Sequence, residues 1–123
     1  MNRIRSTLLI AALLAATGGC ASTLRRHEFL GPSFPARAAD APVEVFKTDP
    51  PTRAFIKIAR LDVHLEKTGF VTSNLDNALP ELKKQARAAG ADAIIEITET
   101  RSQHLETMMY HVTAYGIRYS DSE

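Results

Sequence analysis

Two histidines have the most chemically suggestive positions in this sequence, because both fall on segments with strand-like alternation. His64 lies between Asp62 and Glu66, and on an extended strand all three side chains point to the same face. His111 lies on the last such segment. If the two strands are neighbours, these imidazoles and carboxylates form a ligand set that zinc accepts. The alternative is a solvated sheet face, which we expect because no H-E-x-x-H spacing is present. We therefore predict no metal site and keep His64 and His111 as the alternative ligands.

The residue types needed for covalent catalysis are present but are not arranged for it. The chain has no G-x-S-x-G motif, and Ser73 and Ser102 fall in predicted loops. It also lacks a glycine-rich loop that could cradle a phosphate. The sequence therefore predicts a protein that is not an enzyme and that carries no cofactor.

Size, charge and cysteine content exclude several other classes. A chain of 123 residues with 45% hydrophobic side chains allows one small domain. Its 15 basic and 14 acidic residues give a net charge of +1, which argues against a nucleic-acid partner. A single cysteine allows no internal disulfide.

The first twenty residues have the order of a bacterial export signal. Arg3 and Arg5 form a cationic start, an apolar run extends from Leu8 to Ala16, and small residues lead to Cys20. That run is about half as long as the ~20 residues that a membrane-spanning helix needs. Residues 1–19 are therefore predicted to be a cleaved signal peptide.

The segment Thr17-Gly18-Gly19-Cys20 resembles the lipobox of bacterial lipoproteins, although the family prefers leucine where Thr17 stands. The resemblance implies that Cys20 is acylated, for example with palmitate, and becomes the mature N-terminus. Ala21, in place of an aspartate, implies sorting to the outer membrane on its periplasmic side. The alternative is a free or buried thiol that follows a conventional signal.

Residues 20–41 are predicted to be the lipidated N-terminus and a flexible tether. They contain glycine, prolines and many small residues, and they show no sustained period of 2 or 3.6. About 21 such residues reach roughly 70 Å when fully extended. We therefore expect the tether to hold the domain, residues 42–120, clear of the membrane surface.

Residues 42–120 are predicted to form an α+β domain in the order β-β-α-β-β. The predicted strands are 43–46, 54–66, 91–100 and 107–119. The alternation changes phase near Ala59 and Arg60, which indicates a β-bulge. A single apolar helix stripe then implies a two-layer sandwich, with one helix packed on a mainly antiparallel sheet.

The helix has clear boundaries in the sequence. Its apolar stripe consists of Leu75, Leu79, Leu82, Ala86 and Ala89. Asp76 is a predicted N-cap, which places Pro80 at the fourth helical position. Gly90 is predicted to end the helix in a left-handed conformation.

The run from Gly90 to Ile95, GADAII, and the strand YHVTAYGIRY are similar to two groups of small bacterial envelope domains. These are the YbjQ-type putative heavy-metal-binding domains and the RcsF-type outer-membrane lipoproteins, and the likeness covers roughly residues 42–119. The RcsF-type domain carries disulfides that this chain lacks, and no thiolate cluster is present to hold a heavy metal. The resemblance implies a sensor or accessory domain of the cell envelope.

Apolar and aromatic side chains of the last strand offer a surface for an envelope protein partner or for a homo-oligomer. They are Met108, Met109, Tyr110, Tyr115, Ile117 and Tyr119. The sequence thus predicts a non-enzymatic, membrane-anchored lipoprotein that interacts with a protein in the periplasm. Weak metal or small-ligand binding is the alternative function.

Overall fold

The structure, a computed structural model, describes residues 24–121. The predicted signal peptide and Cys20 lie outside the described residues. The elements are β1 (Leu24–Phe29), β2 (Glu44–Val45), β3 (Phe55–Lys67), α1 (Leu75–Ala89), β4 (Ala93–His104) and β5 (Thr107–Tyr119). The five strands form one sheet in the order β1-β3-β5-β4-β2, in which β2 pairs parallel to β4 and the other pairs are antiparallel.

The predicted α+β class with one helix on a mainly antiparallel sheet is confirmed, but the predicted order β-β-α-β-β is wrong. Three strands precede the helix, because Leu24–Phe29 forms an additional edge strand. All six of its residues pair with β3, from Leu24 opposite His64 to Phe29 opposite Ala59. The segment LRRHEF is polar and short, so only its partner some 35 residues later reveals it as a strand.

The prediction of a flexible tether over residues 20–41 is therefore wrong for the part of it that the structure describes. Beyond β1, the Leu30 N–H donates to the Ile58 carbonyl over 3.0 Å. Phe34 then packs against the hydrophobic core, and the Arg37 N–H donates to the Arg87 carbonyl at the end of the helix over 2.8 Å. The folded domain already includes Leu24, so residue 42 is not its boundary.

Helix α1 begins two residues earlier than the predicted N-cap at Asp76 implies. Asn74 is the N-cap, and its side chain and that of Asn77 each accept a hydrogen bond from the other's backbone N–H. This reciprocal capping box satisfies two otherwise unpaired donors. Pro80 becomes the sixth helical residue rather than the fourth. The predicted C-terminus is confirmed, since Gly90 is left-handed with φ 84° and ψ 17°.

The main core lies between α1 and one face of the sheet. Its largest fully buried side chains include Leu61, Val63, Leu82, Ile94 and Val112. A register shift between Lys57 and Ala59 confirms the predicted bulge next to its expected position. The bulge changes which β3 side chains face the helix.

A second, smaller core lies on the other face of the sheet. Ala93, Ile95, Ile117 and Tyr119 are buried there, with Phe46 packed against them. Tyr110 is also buried, in the main core, where burial and a 2.6 Å hydrogen bond from its hydroxyl to Glu99 raise its pKa. Half of the β5 side chains that suggested a partner surface therefore serve as core instead.

Candidate functional site

The structure brings the two predicted histidines together. His64 on β3 and His111 on β5 are cross-strand partners, and their ring centroids lie 5.7 Å apart with the rings edge to face. Both side chains stand on the sheet face opposite the helix, because their neighbours Val63 and Val112 point into the main core. The adjacency that the metal hypothesis requires is thus present.

Each imidazole is already bound to a carboxylate. His64 Nε2 lies 2.8 Å from Glu66 Oε1, and His111 Nε2 lies 2.5 Å from Asp62 Oδ1. The result is two adjacent imidazole–carboxylate pairs on a partly exposed surface, with His64 28% and His111 41% exposed. Within residues 24–121, no group of three or more His, Cys, Asp or Glu side chains is placed to hold a metal ion. A metal would have to displace these carboxylates from Nε2 or bind at Nδ1, where the described part of the chain places no third ligand for it.

We predict that zinc binds the full chain only weakly, with no sub-micromolar site in isothermal titration calorimetry. The reason is that two imidazoles alone make a weak zinc site, and residues 24–121 place no group of three ligands around them. His64→Ala should leave the zinc isotherm unchanged, and so should the control His104→Ala in the β4–β5 turn region. A sub-micromolar site that is lost in His64→Ala but kept in His104→Ala would show that the metal hypothesis is correct.

A basic cleft lies between the helix and the segment that precedes β2. Its volume is about 420 Å³, and its charged lining residues are Arg37, Lys84 and Arg87. Arg37 Nη1 donates to the carbonyls of Pro42 and Ala91 over 2.9 and 3.0 Å, and Arg87 Nη1 approaches the Ala41 carbonyl at 3.5 Å. Both guanidinium groups therefore stabilise the fold. Lys84 is the third cation that lines this cleft, and its side chain is exposed.

A second, more polar cleft of about 200 Å³ lies at the edge formed by Glu44, Arg53, Asp92 and Tyr119. The Tyr119 hydroxyl donates to Glu44 over 3.2 Å, and the Arg53 guanidinium stacks 4.0 Å from the Tyr119 ring centroid. Burial, followed by the Glu44 carboxylate, raises the pKa of Tyr119. The phenol thus remains a neutral hydrogen-bond donor. The charged groups of the cleft have partners, since Glu44 accepts from Tyr119 and Arg53 pairs with Asp121.

One feature of the described residues was missed by sequence reasoning, namely three large apolar side chains exposed at one end of the sheet. They are Phe70, Val71 and Leu105, which we call the apolar tip. These three large apolar residues lie in segments that pattern and composition assign to loops. That placement was the signal from which the tip could have been predicted. The predicted lipid site at Cys20 lies outside the described residues, and in residues 24–121 no helix is long and apolar enough to cross a membrane.

The sequence matches no protein-family model, and no curated protein matches it. Among solved structures, the chain is similar to the crystal structure of a Francisella virulence factor, FvfA, in its orthorhombic form. The TM-score is 0.48 and the sequence identity is 17%. The superposition covers 76% of this chain and 98% of that chain.

Proposed function

We propose that the protein is a lipid-anchored lipoprotein of the bacterial cell envelope. In this proposal the signal peptide 1–19 is removed, Cys20 carries the lipid, and the mature protein sits on the periplasmic side of the outer membrane. The folded domain acts without enzymatic chemistry, as a protein-interaction or sensor domain.

The observation that carries the proposal is the position of the only cysteine. Cys20 follows a cationic start, an apolar run too short to span a bilayer, and two glycines. Stable membrane attachment needs more than one acyl chain, and an N-terminal cysteine with a diacylglyceryl group and an N-acyl group meets that need. β1 begins at Leu24, four residues after Cys20, so the described fold starts close to the proposed lipid site.

The non-enzymatic role is supported by how the polar side chains are used. The imidazoles of His64 and His111 pair with carboxylates on an open sheet face, and the arginines of the basic cleft bind backbone carbonyls. The likeness of residues 90–95 to the turn of YbjQ-type and RcsF-type domains supports an envelope accessory role. Weak metal or small-ligand binding remains the second candidate, because His64 and His111 are direct cross-strand neighbours.

We expect Cys20→Ser to abolish incorporation of an alkyne-tagged palmitate into the full-length chain expressed in a bacterium. A serine hydroxyl cannot replace the thiol that accepts the lipid, so an unprocessed precursor should accumulate. Thr17→Leu, which restores the residue preferred in the lipobox, is the matched control and should keep or increase the labelling. The proposal is wrong if Cys20→Ser is still labelled, or if the parent chain is cleaved and carries no label.

A further inference from the structure

The apolar tip combines two segments that are distant in sequence. Phe70 and Val71 follow β3, and Leu105 occupies the turn between β4 and β5. Their exposed fractions are 66%, 49% and 79%, so Leu105 is the most exposed of the three. A soluble surface gains nothing from such a cluster, so it indicates contact with something apolar.

The backbone holds these side chains outward. The Phe70 N–H donates to the Glu106 carbonyl over 2.9 Å, which joins the β3–α1 loop to the β4–β5 turn. Phe70 and Leu105 both have left-handed backbones, with φ of 58° and 53°. Bulky residues rarely adopt this conformation, and it persists where the surrounding structure imposes it. The projection of the tip is therefore part of the fold.

The tip lies at the end of the sheet where the chain enters the domain. Leu24 pairs with His64, and β1 runs antiparallel to β3, so β1 begins near the Lys67 end of β3. His64 also pairs with His111, which pairs with Thr100 on β4, so Thr100 lies level with Leu24 across the sheet. Leu105 stands five residues beyond Thr100, roughly 16 Å away. Leu24 is the fourth residue after Cys20, so their Cα atoms are at most about 14 Å apart. Cys20 therefore lies at most about 14 Å beyond the level of Leu24, and the tip, at roughly 16 Å, extends at least as far.

We propose that the apolar tip rests in the surface of the bilayer that receives the acyl chains of Cys20. This inference rests on the proposed lipid anchor and adds an orientation to it. Phe70, Val71 and Leu105 enter the boundary between headgroups and acyl chains, where apolar side chains are stabilised by leaving water. Lys67 and Glu106 flank the tip, one cation and one anion, so contact depends on the apolar side chains rather than on net charge. The strands then stand steeply on the membrane, and the opposite end of the sheet faces the periplasm.

The chain contains no tryptophan, so single tryptophan substitutions report directly on this contact. Phe70→Trp and Leu105→Trp place the reporter in the tip. Ile56→Trp is the matched control, because Ile56 is 49% exposed like Val71 but lies at the other end of β3, roughly 36 Å from Lys67. The acylated full-length protein is reconstituted in vesicles of phosphatidylethanolamine and phosphatidylglycerol that contain brominated phosphatidylcholine.

We expect the brominated lipid to quench the reporters at positions 70 and 105 several-fold more than the reporter at position 56. Circular dichroism checks that each variant is folded. Because the tip carries a reporter at two positions, the test remains valid if one of the two variants does not fold. Equal, weak quenching at all three positions in a protein that carries the lipid would overturn the membrane contact alone and would assign the tip to a protein partner. A protein without lipid on Cys20 would overturn the anchor and this inference together.

Discussion

Gly90→Val should lower the free energy of unfolding by roughly 2–5 kcal/mol, through a backbone cost of about 1–2 kcal/mol and an overpacking cost of about 1–3 kcal/mol. The backbone cost arises because Gly90 has φ 84°, which disfavours a β-branched residue most. The packing cost arises because a Cβ at this position would lie 2.6 Å from the Pro35 carbonyl oxygen and 2.9 Å from the Phe34 Cβ. For a domain of this size we expect the melting temperature, measured by circular dichroism, to fall by ~10 °C or more.

Two glycines within residues 24–121 have positive φ, and they allow the backbone and packing costs to be separated. Gly69 has φ 71° and nothing within 4 Å of its would-be Cβ, so Gly69→Ala should cost about 1 kcal/mol, for the backbone alone. Gly90→Ala carries a similar backbone cost and, in addition, the contact with the segment that contains Phe34 and Pro35. It should therefore be clearly the more destabilising alanine variant. Equal melting temperatures for the two would show that this segment does not pack on the end of the helix.

Gln85→Leu should lower the free energy of unfolding by about 2–4 kcal/mol, because it leaves two polar backbone groups without their partner. The Gln85 side chain accepts a hydrogen bond from the Asp62 N–H at 3.0 Å and donates one to the Asp62 carbonyl at 2.8 Å. Only 4% of Gln85 is exposed, so water does not readily replace it. Chemical denaturation with urea measures the change.

Lys84→Leu is the control for this prediction, because Lys84 precedes Gln85 on the helix but is exposed. An exposed lysine-to-leucine change should alter stability by no more than about 0.5 kcal/mol. The two variants introduce the same side chain into the same helix, so helix propensity cancels between them. If they unfold at the same urea concentration, the amide of Gln85 does not hold β3 to the helix.

Features that depend on neighbouring residues were predicted well from the sequence. The helix stripe, the end of the helix at Gly90 and the β3 bulge all follow from periodicity or from a single permitted conformation. The N-cap was placed two residues late because the capping box between Asn74 and Asn77 competes with Asp76 and offers two hydrogen bonds rather than one. An N-cap is easily placed one or two residues from its true position where several nearby residues are all good N-caps.

Features that depend on distant pairing were not predicted. β1 has no pattern of its own and is a strand because the free edge of β3 accepts it, a relationship between Leu24–Phe29 and residues 59–64. No role was assigned to Gln85 from the sequence, and its burial beside Ala86 becomes clear only from the packing of the helix on β3. For the candidate site, sequence alternation placed His64 beside its carboxylates, but only the strand order brought His111 next to it. The apolar tip was not predicted either, because the sequence does not show that the β3–α1 loop meets the β4–β5 turn.

The mass of the N-terminal peptide of the mature protein decides whether Cys20 is the lipidated N-terminus. The full chain is expressed in a bacterium, extracted from membranes with detergent and digested, and the N-terminal peptide is sequenced by tandem mass spectrometry. We expect a peptide that begins at Cys20 and carries a diacylglyceryl group on the sulfur, with an additional acyl chain on the amine. A mature N-terminus at any other residue, or a peptide that begins at an unmodified Cys20, would contradict it.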